Sequence, residues 1–313
     1  MTILVTGAAG FIGSSLCASL CRSGHDVVGL DSMADYYDSS LKWANIRSIS
    51  GSFRLIQSSI QTADLGTILD GVDQVFHLAG QPGVRGSWRN GFEEHLENNV
   101  RATQVLLEAC RDGHVPRMVY ASSSSVYGNA LAFPTVESTI PQPYSPYGVT
   151  KLAAEHLCHS YAENFGLHVV SVRYFTVYGP RQRPDMAIGR LIRAAMTDQQ
   201  FPMFGDGSQV RDFTFVDDAV DAMLRAMTAD VASGSVFNVG GGSAVSMLRL
   251  IELVEESTGH RIRIDWMPAQ PGDAERTGAD ISRAESLLGW VPRVSLEEGI
   301  AAQVEFERKG STH

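Results

Sequence analysis

The sequence predicts an α/β fold in which a parallel sheet is covered by helices on both faces. Near-continuous apolar runs alternate with helical segments through the first half of the chain, and a glycine-rich turn joins the first run to the first helix. Strands buried on both faces read as unbroken apolar runs, and the crossovers between parallel strands supply the helices. The runs are Ile3 to Val5, Val27 to Leu30, Phe53 to Ile56, Val75 to Leu78, Met118 to Ala121 and Val169 to Arg173, with Phe237-Asn238-Val239 as a late strand.

The turn is Val5-Thr6-Gly7-Ala8-Ala9-Gly10-Phe11-Ile12-Gly13. Gly7 lets the chain leave the strand sharply, Gly10 brings no Cβ between backbone and a pyrophosphate, and Gly13 lets the helix lie close on the sheet. The helix N-terminus offers unpaired N–H groups and the positive end of its dipole. Three glycines at this spacing also suit a turn that binds nothing. The second run ends on Asp31, twenty-four positions after Gly7. A carboxylate at the tip of strand two accepts hydrogen bonds from an adenosine ribose, so the pair of features predicts dinucleotide binding. Asp31 repels a 2′-phosphate and Ser32 follows it where an arginine could have received one, so the cofactor reads as NAD and not NADP.

At 313 residues the chain has room for about two domains, or one large α/β unit with an appendage. Hydrophobic residues are 44% and charged residues 19%, as in ordinary globular proteins. The net charge of −10, with no basic run, argues against a nucleic-acid partner. No apolar run approaches a membrane span, and the first strand begins almost at Met1, which leads us to expect a soluble, cytoplasmic protein without a membrane partner. Cys17, Cys21, Cys110 and Cys158 fall in helical segments and read as small buried apolar residues. The nine histidines include no His-x-x-x-His pair, so no metal site is expected.

Strand four runs into His77-Leu78-Ala79-Gly80-Gln81-Pro82-Gly83-Val84-Arg85, whose small residues suit a ligand-binding loop at the carboxyl edge of the sheet. Asn99 to Cys110 is helix-compatible, with Val100, Leu106, Leu107 and Ala109 as its buried face; Asn99 is either a plain polar helix residue or a functional one. Strand five ends in Ser122-Ser123-Ser124-Ser125, either a hydrated loop or hydroxyls aimed into a site, and position favours the site. After the prolines at 134, 141, 143 and 146 come Tyr147-Gly148-Val149-Thr150-Lys151, in which helical spacing puts Tyr147 and Lys151 on one face.

These motifs, in this order, resemble the extended short-chain dehydrogenase/reductases of the NAD-dependent epimerase/dehydratase family, and the likeness covers nearly the whole chain. Gly7, Gly10 and Gly13 match the glycine-rich turn, Asp31 the ribose acid, Ala79 and Gly80 the nicotinamide loop, and Asn99 the central-helix asparagine. Ser123 matches the strand-tip hydroxyl, and Tyr147 with Lys151 the catalytic pair. Tyr174-Phe175-Thr176-Val177-Tyr178-Gly179-Pro180 resembles the entry to the sugar-nucleotide lobe; Phe204-Gly205-Asp206-Gly207 with Arg211-Asp212-Phe213 resembles its uridine and diphosphate contacts. Pro271-Gly272-Asp273 and Leu288-Gly289-Trp290 match the closing motifs. Among the branches, Ser122 to Gly128 and Thr176 to Ala187, with Arg183-Pro184-Asp185-Met186, look most like UDP-glucuronate 4-epimerases.

The resemblance implies a Rossmann-type doubly wound sheet from residues 1–173 and 214–240, with a smaller α/β substrate lobe from 174–213 and 241–313. It implies further cofactor contacts at Phe11, Ile12, Ser32, Ser59, Ile60 and Leu78, and at Ser122 and Tyr174, besides Tyr147 and Lys151. For the UDP-sugar it implies Arg85, Ser123, Thr176, Arg183, Phe204, Arg211 and Asp273. It also implies a homodimer through helices near Phe92 to Arg111 and Tyr147 to Phe165. Two departures stand out. Ser59 replaces the acid that many members hold beside the adenine, and Ser124 and Ser125 occupy the catalytic positions of the Asp-Glu pair in 4,6-dehydratases. A hydroxyl is a poor acid or base near neutral pH, which disfavours that dehydration.

The expected chemistry is oxidation at the sugar C4, with Tyr147 as base, Lys151 lowering its pKa and Ser123 holding the developing ketone. Returning the hydride to the opposite face of a rotated ketone gives 4-epimerisation, the leading reading. Loss of the C5 proton and the C6 hydroxyl would give a UDP-N-acetylglucosamine 5,6-dehydratase, as in tunicamycin biosynthesis. A non-catalytic NAD-binding regulator is the third reading, and the joint presence of Ser123, Tyr147 and Lys151 argues against it.

Overall fold

The computed structural model describes residues 1–310; the last three positions of the expected substrate lobe lie outside the described residues. The chain runs β1 (Thr2–Thr6), α1 (Phe11–Arg22), β2 (Asp26–Asp31), α2 (Ser39–Arg47), β3 (Phe53–Gln57), α3 (Leu65–Leu69) and β4 (Gln74–His77). Next come α4 (Gly91–His95), a π-helical turn (Leu96–Arg101), α5 (Ala102–Asp112), β5 (Arg117–Ser123), α6 (Pro146–Phe165) and β6 (His168–Tyr174). Then follow β7 (Thr176–Tyr178), α7 (Ala187–Thr197), β8 (Gln200–Phe204), β9 (Val210–Phe215), α8 (Val216–Thr228) and β10 (Val236–Val239). The chain closes with β11 (Ala244–Ser246), α9 (Met247–Thr258), β12 (Arg263–Met267), α10 (Ser282–Leu288) and α11 (Leu296–Gly310).

Seven strands form one parallel sheet in the order β10-β6-β5-β4-β1-β2-β3. The order reverses between β1 and β4, so the crevice over their carboxyl ends is the switch point where open α/β sheets bind ligands. One apolar core lies against α1 and α8 and continues into the later helices, and another lies under α3, α5 and α6. Beside the main sheet, β9 pairs with β7 and β11, and β8 pairs with β12. All four cysteines are buried free thiols.

The segment read as one helix from Asn99 differs in detail. Helix begins at Gly91, and a π turn spans 96–101 before α5. Asn99, within that turn, is buried; Val100 and Ala109 are only half-buried, while Leu106 and Leu107 are fully covered.

Helix α6 carries the Tyr147/Lys151 pair and is closely defined at both ends. Ser145 caps it by accepting from the Gly148 N–H at 3.2 Å, Pro146 opens it, and Gly166 closes it in the left-handed conformation at φ 70°. A Cβ at Gly148 would stand 2.5 Å from the Ser125 carbonyl oxygen. The missing side chain lets this helix approach the serine tip of β5.

Candidate active site

A cleft of about 740 Å³ runs over the carboxyl ends of the main sheet. At one end lies the first turn. Gly7 has φ +70°, and a Cβ there would stand 2.7 Å from the Ala79 nitrogen; a Cβ on Gly13 would collide with the Gly7 carbonyl. No side chain caps the N-terminus of α1 at Gly10, which leaves its N–H groups to a phosphate. Asp31 accepts the Ala9 N–H at 3.0 Å and the Met33 N–H at 2.8 Å. These bonds orient the carboxylate and leave each oxygen a further lone pair. The donor set, the open face at Gly10 and the oriented acid together fit a dinucleotide.

Beneath the cleft floor a directed hydrogen-bond chain joins this turn to Asn99. Thr103 Oγ1 donates to the Asn99 carbonyl at 2.6 Å, so at 2.9 Å from His77 Nε2 it can only accept. His77 therefore carries its proton on Nε2, and its Nδ1 accepts from Thr6 Oγ1 at 2.7 Å. Thr6 Oγ1 in turn accepts the Ala79 N–H at 3.2 Å. Burial, reinforced by the charge of Lys151, lowers the imidazole from 6.5 to about 3 and keeps it neutral. Asn99 receives the Gln81 N–H at 2.6 Å and donates to Gln81 O and Thr150 Oγ1, and Thr150 bonds the Tyr147 carbonyl at 2.8 Å. The buried asparagine thus ties the loop after β4 to α6.

Burial raises the Tyr147 pKa above 10.0, while the Ser123 hydroxyl and the charge of Arg183 pull it back. The sequence assigned the downward pull to Lys151, and Arg183 was not foreseen in that role. Lys151 stands 4.5 Å above the Tyr120 ring and is pushed by burial from 10.5 to about 8, with Cys158 and Glu155 acting the other way. Ser122 is turned from the reacting groups and donates to Glu155 at 2.7 Å.

At the far end Arg85 pairs with Asp273 at 2.6 Å and covers the Phe204 ring at 4.0 Å. Arg183 forks onto Asp185 with two 3.0 Å bonds. Burial lowers the Arg211 guanidinium and Arg85 adds to that push, against Asp273; burial likewise lowers Arg190, with Arg85 and Arg193 adding to it. Crowded guanidinium groups of this kind call for an anion between them.

Every site residue expected from the sequence lines this one cleft, Ser32, Ser59, Ile60, Leu78, Ser124, Ser125, Tyr174 and Thr176 included. Several motif residues do not. Asp212 points away and is buried, accepting the N–H groups of Gly241 and Ala279 at 2.9 Å each. Trp290 is a core residue whose Nε1 donates to the Asp218 carbonyl at 3.0 Å. Asp206 accepts the Ser208 N–H at 2.9 Å in its own turn. Sequence reasoning missed Tyr36, Lys42, Arg190 and Gln209 as lining residues and gave Asp185 no role. Tyr36 and Lys42 follow Asp31 closely, and that proximity was the available signal. Arg190 on α7 carried none.

Fold and site together define an NAD-dependent enzyme of the short-chain dehydrogenase/reductase type. Residues 3–240 match the NAD dependent epimerase/dehydratase family, and the chain belongs to it. It is 43% identical to an uncharacterized UDP-glucose epimerase of Bacillus subtilis, over 98% of both chains. It is 36% identical to a UDP-glucuronate 4-epimerase of Thermodesulfobacterium geofontis, over 98% of this chain and 96% of that one. The crystal structure of UDP-glucuronic acid 4-epimerase from Bacillus cereus, in complex with UDP-glucuronic acid and NAD, superposes with a TM-score of 0.95 at 43% identity over 99% of each chain.

Proposed function

We propose that this protein interconverts the C4 epimers of a UDP-hexose, UDP-hexosamine or UDP-hexuronate, with UDP-glucuronate the first substrate to test. The observation that carries the reading is that Ser123, Tyr147 and Lys151 line one cleft that has a dinucleotide turn at one end and the Arg85, Arg190 and Arg211 guanidinium groups at the other. Gly10 and Asp31 would hold NAD, which would supply reversible hydride transfer at C4. The C4 hydroxyl proton passes to Tyr147, and Ser123 holds the ketone oxygen that remains. Lys151 supplies positive charge on the same helix face. Arg211 and Arg85 anchor the diphosphate while the sugar turns, so the hydrogen returns to the other face.

In this reading residues 1–173 and 214–240 bind NAD, and 174–213 with 241–313 bind the UDP-sugar. Two copies pair through the segments 92–111 and 147–165. The exposed Trp88, Phe92, Tyr144 and Val149 beside those helices support that pairing, and a monomeric mass in sedimentation at micromolar concentration would refute it. No described helix is long and apolar enough to cross a membrane, which agrees with action in the cytoplasm. The function is tested by incubating purified protein with UDP-glucose, UDP-N-acetylglucosamine and UDP-glucuronate and following the products by mass and proton NMR. Unchanged mass with an inverted C4 coupling pattern is expected. A product lighter by one water, with vinylic protons and no keto group, would show 5,6-dehydration instead.

A further inference from the structure

Glu155 lies outside the cleft, buried on α6 one turn beyond Lys151 and two beyond Tyr147. A carboxylate is costly to bury unless it is paired and hydrogen-bonded, and this one is both. Its Oε2 accepts from Ser122 Oγ at 2.7 Å and from Arg173 Nε at 3.0 Å, and its Oε1 accepts from Arg173 Nη2. The two charged side chains are only 7% and 5% exposed. Ser122 and Arg173 are register partners on β5 and β6, and the next pair is Ser123 with Tyr174. Arg173 Nη1 donates to the Tyr127 hydroxyl at 2.7 Å, which donates to Asn238 on β10 at 2.7 Å. One carboxylate thus joins the Tyr147 helix to the tips of β5 and β6 and, through Arg173 and Tyr127, to β10. Burying an ion pair is a poor route to stability, because apolar residues of the same volume serve as well or better. The placement of this pair calls for another explanation.

We propose that Glu155, held by Arg173 and Ser122, is a positioning residue for the reaction: it sets α6 against the serine tip and keeps a negative charge one turn from Lys151, so that the lysine stays protonated. This rests on the reading of Lys151 as the charge that supports Tyr147. The groups that face Lys151 are His77 from β4, Tyr120 from β5, and Cys158 and Glu155 from its own helix. Burial holds His77 neutral and raises both the Tyr120 hydroxyl and the Cys158 thiol. Glu155 is the one carboxylate among them.

The test is kcat between pH 6 and 10, with KM and thermal midpoints, for the native protein, Glu155→Gln and the double variant Glu155→Gln/Arg173→Met. Activity of the native protein should fall on an alkaline limb as Lys151 loses its proton. In Glu155→Gln the limb should move about one pH unit lower, as expected when an opposite charge nearby is lost, with KM unchanged. The double variant leaves no unpaired charge, so its midpoint should return toward the native value while its limb stays displaced. If Glu155→Gln does not fold, the double variant decides. A limb at the native position in either folded variant overturns the proposal. A native protein that interconverts no UDP-sugar would refute the underlying function instead.

Discussion

Replacing His77 by glutamine and comparing stabilities at pH 7 and pH 5 tests the buried chain that runs from the first turn to Asn99. The folded imidazole takes a proton only at about 3, whereas an unfolded one takes it near 6.5. Between those values the unfolded chain binds more protons, so His77 makes stability fall as pH drops below 6.5 and keep falling until about 3. At pH 5 the unfolded group is about 1.5 units below its own pKa, which corresponds to about 2 kcal/mol lost by the native protein. Glutamine does not titrate. Its amide can still donate to Thr103, but the Thr6 hydroxyl loses its acceptor, so the variant should be about 1–3 kcal/mol less stable at pH 7. At pH 5 that gap should shrink by about 2 kcal/mol. Urea unfolding followed by fluorescence of the four tryptophans reads both values. A gap of the same size at both pH values would refute the account of His77 as a neutral, directed link.

The remaining expectations concern the cleft. Tyr147→Phe should bind NAD and UDP-sugar normally yet lose about 10²- to 10⁴-fold in kcat, since only the proton acceptor is removed; near-native turnover measured by coupled assay would exclude Tyr147 as the base. Arg211→Ala should weaken UDP binding by about 10- to 100-fold in calorimetry and leave NAD binding unchanged, as loss of a charge-assisted contact implies. Gly13→Ala should abolish NAD binding, because the new Cβ collides with the Gly7 carbonyl that closes the turn; retained NAD in the purified variant would show that α1 can shift.

Much of the main sheet was legible because strands buried on both faces leave unbroken apolar runs, and Gly7, Gly10, Gly13 and Asp31 sit within about thirty residues of one another. The Tyr147/Lys151 pair was legible for the same local reason. Asp212 was misplaced because a motif was read as a block. Side chains alternate along β9, so Arg211 and Phe213 share the cleft face and Asp212 takes the other, a signal the sequence did hold. The π turn at 96–101 was not legible, since one extra residue in a helix changes no composition. Nor was the meeting of Tyr147 with Arg183, or of Arg190 with Arg85, which depends on how far-separated segments pack across the cleft.

The central claim is that the hydrogen removed from C4 stays in the site and returns to the same carbon. UDP-glucuronate carrying deuterium at C4, incubated with catalytic amounts of the protein in ordinary water, tests this directly by NMR and mass spectrometry. The account predicts an equilibrium mixture of C4 epimers in which both retain the deuterium at C4 and neither changes mass. Epimers in which the label has been exchanged for solvent hydrogen would contradict it.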